Sequence, residues 1–148
     1  MNLQRPRRPR GFRIADSAQQ IVGGFLLAGP FVVTEEVWVL ASNMSILQAI
    51  LTMGIVFAIG YATLYKADTN RDADAEQQVA GIPIRFLSLM LVSFGSVTIL
   101  ALLFDAPDTF VDEAASTAEL VQVTITAISV GSVFSVVGAA TADSVFSR

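Results

Sequence analysis

Cysteine and histidine are both absent from this chain of 148 residues. Together these absences remove thiol nucleophiles, disulfides, imidazole bases and the usual zinc and haem ligands. Most enzyme chemistries go with them, so neither an enzymatic activity nor a cofactor is expected. Charge is also scarce: 15% of residues are charged against 53% hydrophobic, and the mean hydropathy is +0.63. That balance is too apolar for an ordinary soluble domain. Phosphate-cradling glycine loops are missing, since Gly23 and Gly24 lie in an apolar run without the required spacing. The run Asp68 to Glu76 imitates the start of a calcium loop, but Ala73 replaces the turn glycine and Val79 the closing glutamate.

What remains is four apolar runs, Ile21 to Ala41, Ile46 to Tyr65, Ile82 to Phe104 and Leu120 to Ala140. Each is near the ~20 residues that cross ~30 Å of hydrocarbon. The expectation is an all-α, multi-pass protein of the cell membrane with helices over about 17–42, 45–66, 82–104 and 118–141. The basic start leads into a full-length apolar run holding acids and a proline, which fits a retained span better than a cleaved signal.

Arg5, Arg7, Arg8, Arg10 and Arg13 come before any acid, whereas the 105–119 connection carries Asp105, Asp108, Asp112, Glu113 and Glu119 and no base. Positive charge stays on the cytoplasmic side. Both termini and the 66–81 connection are therefore expected inside, and residues 1–16 form a disordered basic arm against anionic lipid. Lipid is a nearer polyanion for that arm than nucleic acid, which is not expected as a partner. One lysine against eight arginines, with aspartate-rich connections, is the pattern of a chain exposed to high salt, the alternative being a generic acidic loop that attracts cations.

The costliest feature is the pair Glu35 and Glu36 inside the first apolar run. A carboxylate in hydrocarbon costs about 2.5–3.5 kcal/mol on insertion scales, so one that is kept usually faces a cavity, a bundle interior or a cation. Taking Asn43 as the outer boundary puts the pair about 10–12 Å below it at 1.5 Å per residue. Gly29 and Pro30 predict a helix kink between Gly29 and Thr34 that frees carbonyls near the acids. Trp38 is expected as an interface anchor above them. Neighbouring helical residues point about 100° apart, so one glutamate is expected to line a cavity and the other to bond locally, meet a neighbouring subunit or stay protonated, with Thr34 as a nearby hydroxyl ligand for a cation or proton.

Gly54 and Ala58 in the second run, and Gly131 and Ser135 in the fourth, recur at the spacing that lets helices approach closely. Hydroxyls are plentiful at Ser88, Ser93, Ser96 and Thr98 and at Thr124, Thr126, Ser129 and Ser132. Such side chains either line a polar path or bond back to their own helix.

The stretch Gly23 to Trp38, with Gly29, Pro30, Thr34, Glu36 and Trp38 at the positions of a Gly/Pro turn followed by Thr-x-Glu-x-Trp, resembles the signature of a membrane-protein family. That family is a domain of unknown function of the 2391 type, found in bacteria and haloarchaea. Arg85 to Phe104 and the basic start are also similar to its short haloarchaeal form. The resemblance implies that Glu36 is the family glutamate and Glu35 the variable one. Bacterial members are longer with more spans, which implies that a four-span chain works as an oligomer. No activity follows from it.

The leading expectation is a small ion channel or ion-conducting protein built as a homo-oligomer, with Glu36, Glu35 and Thr34 around a monovalent or divalent cation or a proton. A proton-coupled transporter using the same glutamate is the second. A non-transporting accessory or scaffold subunit is the third.

Overall fold

The computed structural model describes residues 12–66 and 78–146. Most of the expected basic arm and the calcium-loop look-alike lie outside the described residues. The chain runs α1 (Ile14–Val32), α2 (Glu35–Ser42), α3 (Ile46–Tyr61) with a π-turn (Ala62–Lys66), β1 (Gln78–Val79), β2 (Ile82–Pro83), α4 (Ile84–Leu103), α5 (Ala106–Phe110) and α6 (Thr117–Phe146). The strands are a short antiparallel hairpin turned at Ala80 and Gly81, both at positive φ (54° and 81°). Two such residues in a two-residue loop match the twist of a hairpin.

Three helices are long and apolar enough to cross a membrane, Ile46–Tyr65, Ile84–Leu103 and Thr117–Phe146. The first expected span differs. It is two helices, α1 and α2, which reach that length and apolarity only as a pair bent by 77°. The protein is thus mostly helical, with three or four segments compatible with a multi-pass membrane protein.

The break has a local cause. Pro30 sits in the last turn of α1 and supplies no N–H. Two residues on, the chain leaves the helix, and its free carbonyls are taken up nearby. Phe31 O accepts both the Thr34 N–H (3.2 Å) and the Thr34 hydroxyl (2.8 Å), while Val32 O accepts the Trp38 indole N–H at 2.9 Å. Thr34 then acts as the N-cap residue of α2 with extended backbone. At the next start, Ser45 and Gln48 form a reciprocal capping box on α3.

Helix α6 is the centre of the bundle and packs against α1, α2, α3 and α4. Its inner positions are small: Gly131, Ser132, Ser135, Gly138, Ala139 and Ala140 are all buried. Small side chains let neighbouring backbones approach. The tightest crossing is α1 on α6, where a Cβ at Gly23 would collide with the Gly138 carbonyl and one at Gly138 with the Gly23 carbonyl. Ser135 adds a bond from its hydroxyl to the Gly24 carbonyl at 3.3 Å, and Phe31 stacks on Phe134 at 3.8 Å between ring centroids. Of the packing positions read from spacing, Gly131 and Ser135 lie in this core, whereas Gly54 and Ala58 face away from the chain, with nothing within 4 Å of a Cβ at Gly54.

Candidate functional site

Glu35 and Glu36 occupy the first turn of α2 and are both exposed. Negative charge there is favoured by the unpaired N–H groups and the dipole at a helix start. They line an open recess of about 410 Å³ with Val39, Leu40 and Asn43. Neither carboxylate has a hydrogen-bond or ion-pair partner among the described residues. Thr34, expected as a ligand, spends its hydroxyl on Phe31 O. Gly29 is half-buried and Pro30 exposed on α1.

Trp38 is 1% exposed and stacks on Phe110 at 6.1 Å. Its position is internal: it ties α2 back to the end of α1 through Val32 O. Replacing it by Phe keeps the ring but strands that buried carbonyl. Trp38→Phe is expected to lower stability by about 1–3 kcal/mol, read by SDS titration in mixed micelles.

A second cluster lies at the opposite end of the bundle, where α1 begins, α4 begins and α6 ends. Arg85 on α4 donates from Nη1 to Asp143 Oδ1 at 2.7 Å and from Nη2 to Asp16 Oδ2 at 3.3 Å. The side chains of Arg85, Asp16 and Asp143 are 7%, 3% and 0% exposed. Asp16, at the third position of α1, also accepts the Arg13 N–H at Oδ2 at 2.9 Å. The Arg85 guanidinium sits 5.2 Å from the Phe12 ring centre. One turn further in, Ser88 donates to Gln20 Oε1 at 2.7 Å and its hydroxyl meets that of Ser17 at 2.9 Å.

This ring gives a ruler for depth. Because Asp16 and Arg85 touch, they share a level, and at about 1.5 Å per residue Thr34, just past the end of α1, and Leu103 on α4 each lie about 27 Å beyond it. Glu35 and Glu36 follow on a helix turned by 77°, which adds little further along α1. They therefore stand level with the end of α4, while α6 continues beyond them. The straight first span in which they were expected is corrected to two helices bent by 77°.

Most of the abundant hydroxyls bond back to their own helix. Ser93, Thr98, Thr124, Thr126, Ser129 and Ser132 each donate to the carbonyl four residues earlier on their own helix. Asp143 lies just past the fourth apolar run, and nothing in the sequence reading paired it with Arg85 and Asp16. The available signal was parity: a first helix start, a third helix start and a fourth helix end fall on the same side of a four-span chain. No protein-family model, curated protein or solved structure matches the chain.

Proposed function

We propose that the chain works in a membrane as an assembly of copies that conducts cations or protons, with Glu35 and Glu36 at the mouth of a path between copies. The observation that carries this reading is that both carboxylates point away from their own chain without a partner among the described residues, beside the exposed Val39 and Leu40. Acids on an apolar surface need water, a cation or another subunit. With many interior hydroxyls engaged by their own helices, a polar route between subunits is the reading adopted. A proton-coupled carrier would use the same pair and is separated by turnover, since it gives saturable, gradient-coupled flux.

The test is cation and proton flux into liposomes holding the purified protein, beside the Glu35→Gln/Glu36→Gln double variant, after both are shown to insert and assemble alike. Flux in the native protein that falls to the protein-free level in the variant is the expected result. A second reading, a non-transporting scaffold subunit, is favoured by the rigid Asp16–Arg85–Asp143 tie across three helices. It predicts no flux for any ion and an assembly defect in the glutamate variant.

A further inference from the structure

Three buried atoms in the first two turns of α1 have no hydrogen-bond partner among the described residues: Asp16 Oδ1, Gln19 Oε1 and Gln20 Nε2. Gln20 is 0% exposed and Asp16 is buried, and the Gln19 oxygen is enclosed although its residue is only half-buried. Nearly every buried polar atom in a folded protein is paired, so three orphans together need a common cause. The residues stand at i, i+3 and i+4 and share one face of the helix. Side chains on a helix lean toward its N-terminus, so both amides lie over the turn that carries Asp16.

The other half of each group is already engaged, and that fixes what the orphans offer. Asp16 Oδ2 takes the Arg85 guanidinium and the Arg13 N–H. Gln19 Nε2 donates to the Phe146 carbonyl at 3.4 Å, which leaves its oxygen over. Gln20 Oε1 accepts the Ser88 hydroxyl at 2.7 Å, which leaves its nitrogen. The face thus presents two acceptors and one donor. Two networks also end on it: Arg85 joins Asp16 to Asp143 on α6, and Ser88 joins Gln20 to Ser17.

We infer that this face of α1 binds one water molecule, which donates its two hydrogens to Asp16 Oδ1 and Gln19 Oε1 and accepts the Gln20 N–H. About three bonds to otherwise unpaired groups is the usual complement of a buried water. Other small ligands fit the set less well. A metal cation would meet the hydrogens of the Gln20 amide, an anion would meet two oxygen acceptors, and an ammonium ion has no lone pair for that N–H. The water completes a chain of hydrogen bonds from Ser17 through Ser88, Gln20, Asp16 and Arg85 to Asp143, and so couples the hydroxyl pair to the ion-paired tie. The inference stands apart from the conduction reading, because it uses neither Glu35 nor Glu36.

The test is a crystal structure of the purified full chain grown in lipid, at a resolution that shows ordered water, beside Gln20→Met. Methionine keeps the length of the side chain and removes the donor. In the native protein a peak is expected about 2.7–3.2 Å from Asp16 Oδ1, Gln19 Oε1 and Gln20 Nε2, and in the variant that peak is lost. Water-edited solid-state NMR of the native chain in liposomes reads the same contact without the variant. Magnetisation should pass from water to the Gln20 side-chain protons, as at exposed Gln48, and not to the N–H of buried Val97. A direct bond between Asp16 and Gln20, or no peak where other ordered waters are seen, would overturn the assignment. So would oxygen ligands at cation distances of about 2.3–2.6 Å, a peak that persists in Gln20→Met, or Gln20 protons as dry as the Val97 N–H.

Discussion

Arg85→Ala is expected to destabilise the protein by about 3–5 kcal/mol, because it removes the guanidinium that bridges the buried Asp16 and Asp143 carboxylates. Arg85→Lys should lose part of that amount, since an ammonium carries the charge but not the planar fork that reaches two helices at once. The informative comparison is the balanced variant Asp16→Asn/Arg85→Met/Asp143→Asn. Removing all three charges together should recover most of the loss, because burial of an isolated charge is what costs free energy, and a fully neutral cluster has none. SDS titration in mixed micelles gives the three values. A balanced variant as weak as Arg85→Ala would show that the positions are needed for packing and that their charges are not.

Gly23→Ala and Gly138→Ala should each lower stability by about 1–3 kcal/mol, because the added methyl enters the backbone of the facing helix, which cannot rotate away as a flexible side chain would. The α1–α6 crossing must then open, and with it the Ser135 bond to Gly24 O and the Phe31–Phe134 stack. Gly54→Ala should change stability with the opposite sign, gaining up to about 1 kcal/mol from helix propensity, as open space surrounds that position. The contrast isolates close approach from the general effect of glycine in a helix. If Gly54→Ala proves as damaging as Gly23→Ala, its face is covered in the assembled protein, which would favour the oligomer proposed above.

Spacing alone treated these glycines alike. Gly54 with Ala58 and Gly131 with Ser135 carry the same four-residue pattern, yet only the second pair is inside, because a small residue marks a possible contact without naming the partner. Glu35 and Glu36 show the same gap. Their cost in a straight span was real, but the chain bends where Pro30 removes an N–H and where Thr34 and Trp38 take up Phe31 O and Val32 O, and the bend puts the acids, exposed, in the first turn of a separate helix. No local pattern announces that an indole six residues away will accept the job of closing a helix.

By itself the sequence determined the helical class, the approximate positions of the long apolar segments and the uneven distribution of charge, since all three follow from hydropathy and periodicity along the chain. The tertiary structure decided the rest: the 77° break in the first segment, the tie of Asp16 and Asp143 to Arg85, the inward turn of Trp38 and the central place of α6. These depend on which residues meet across 58 or 69 positions of chain, and a contact between distant residues is set by packing geometry, which a linear pattern does not contain.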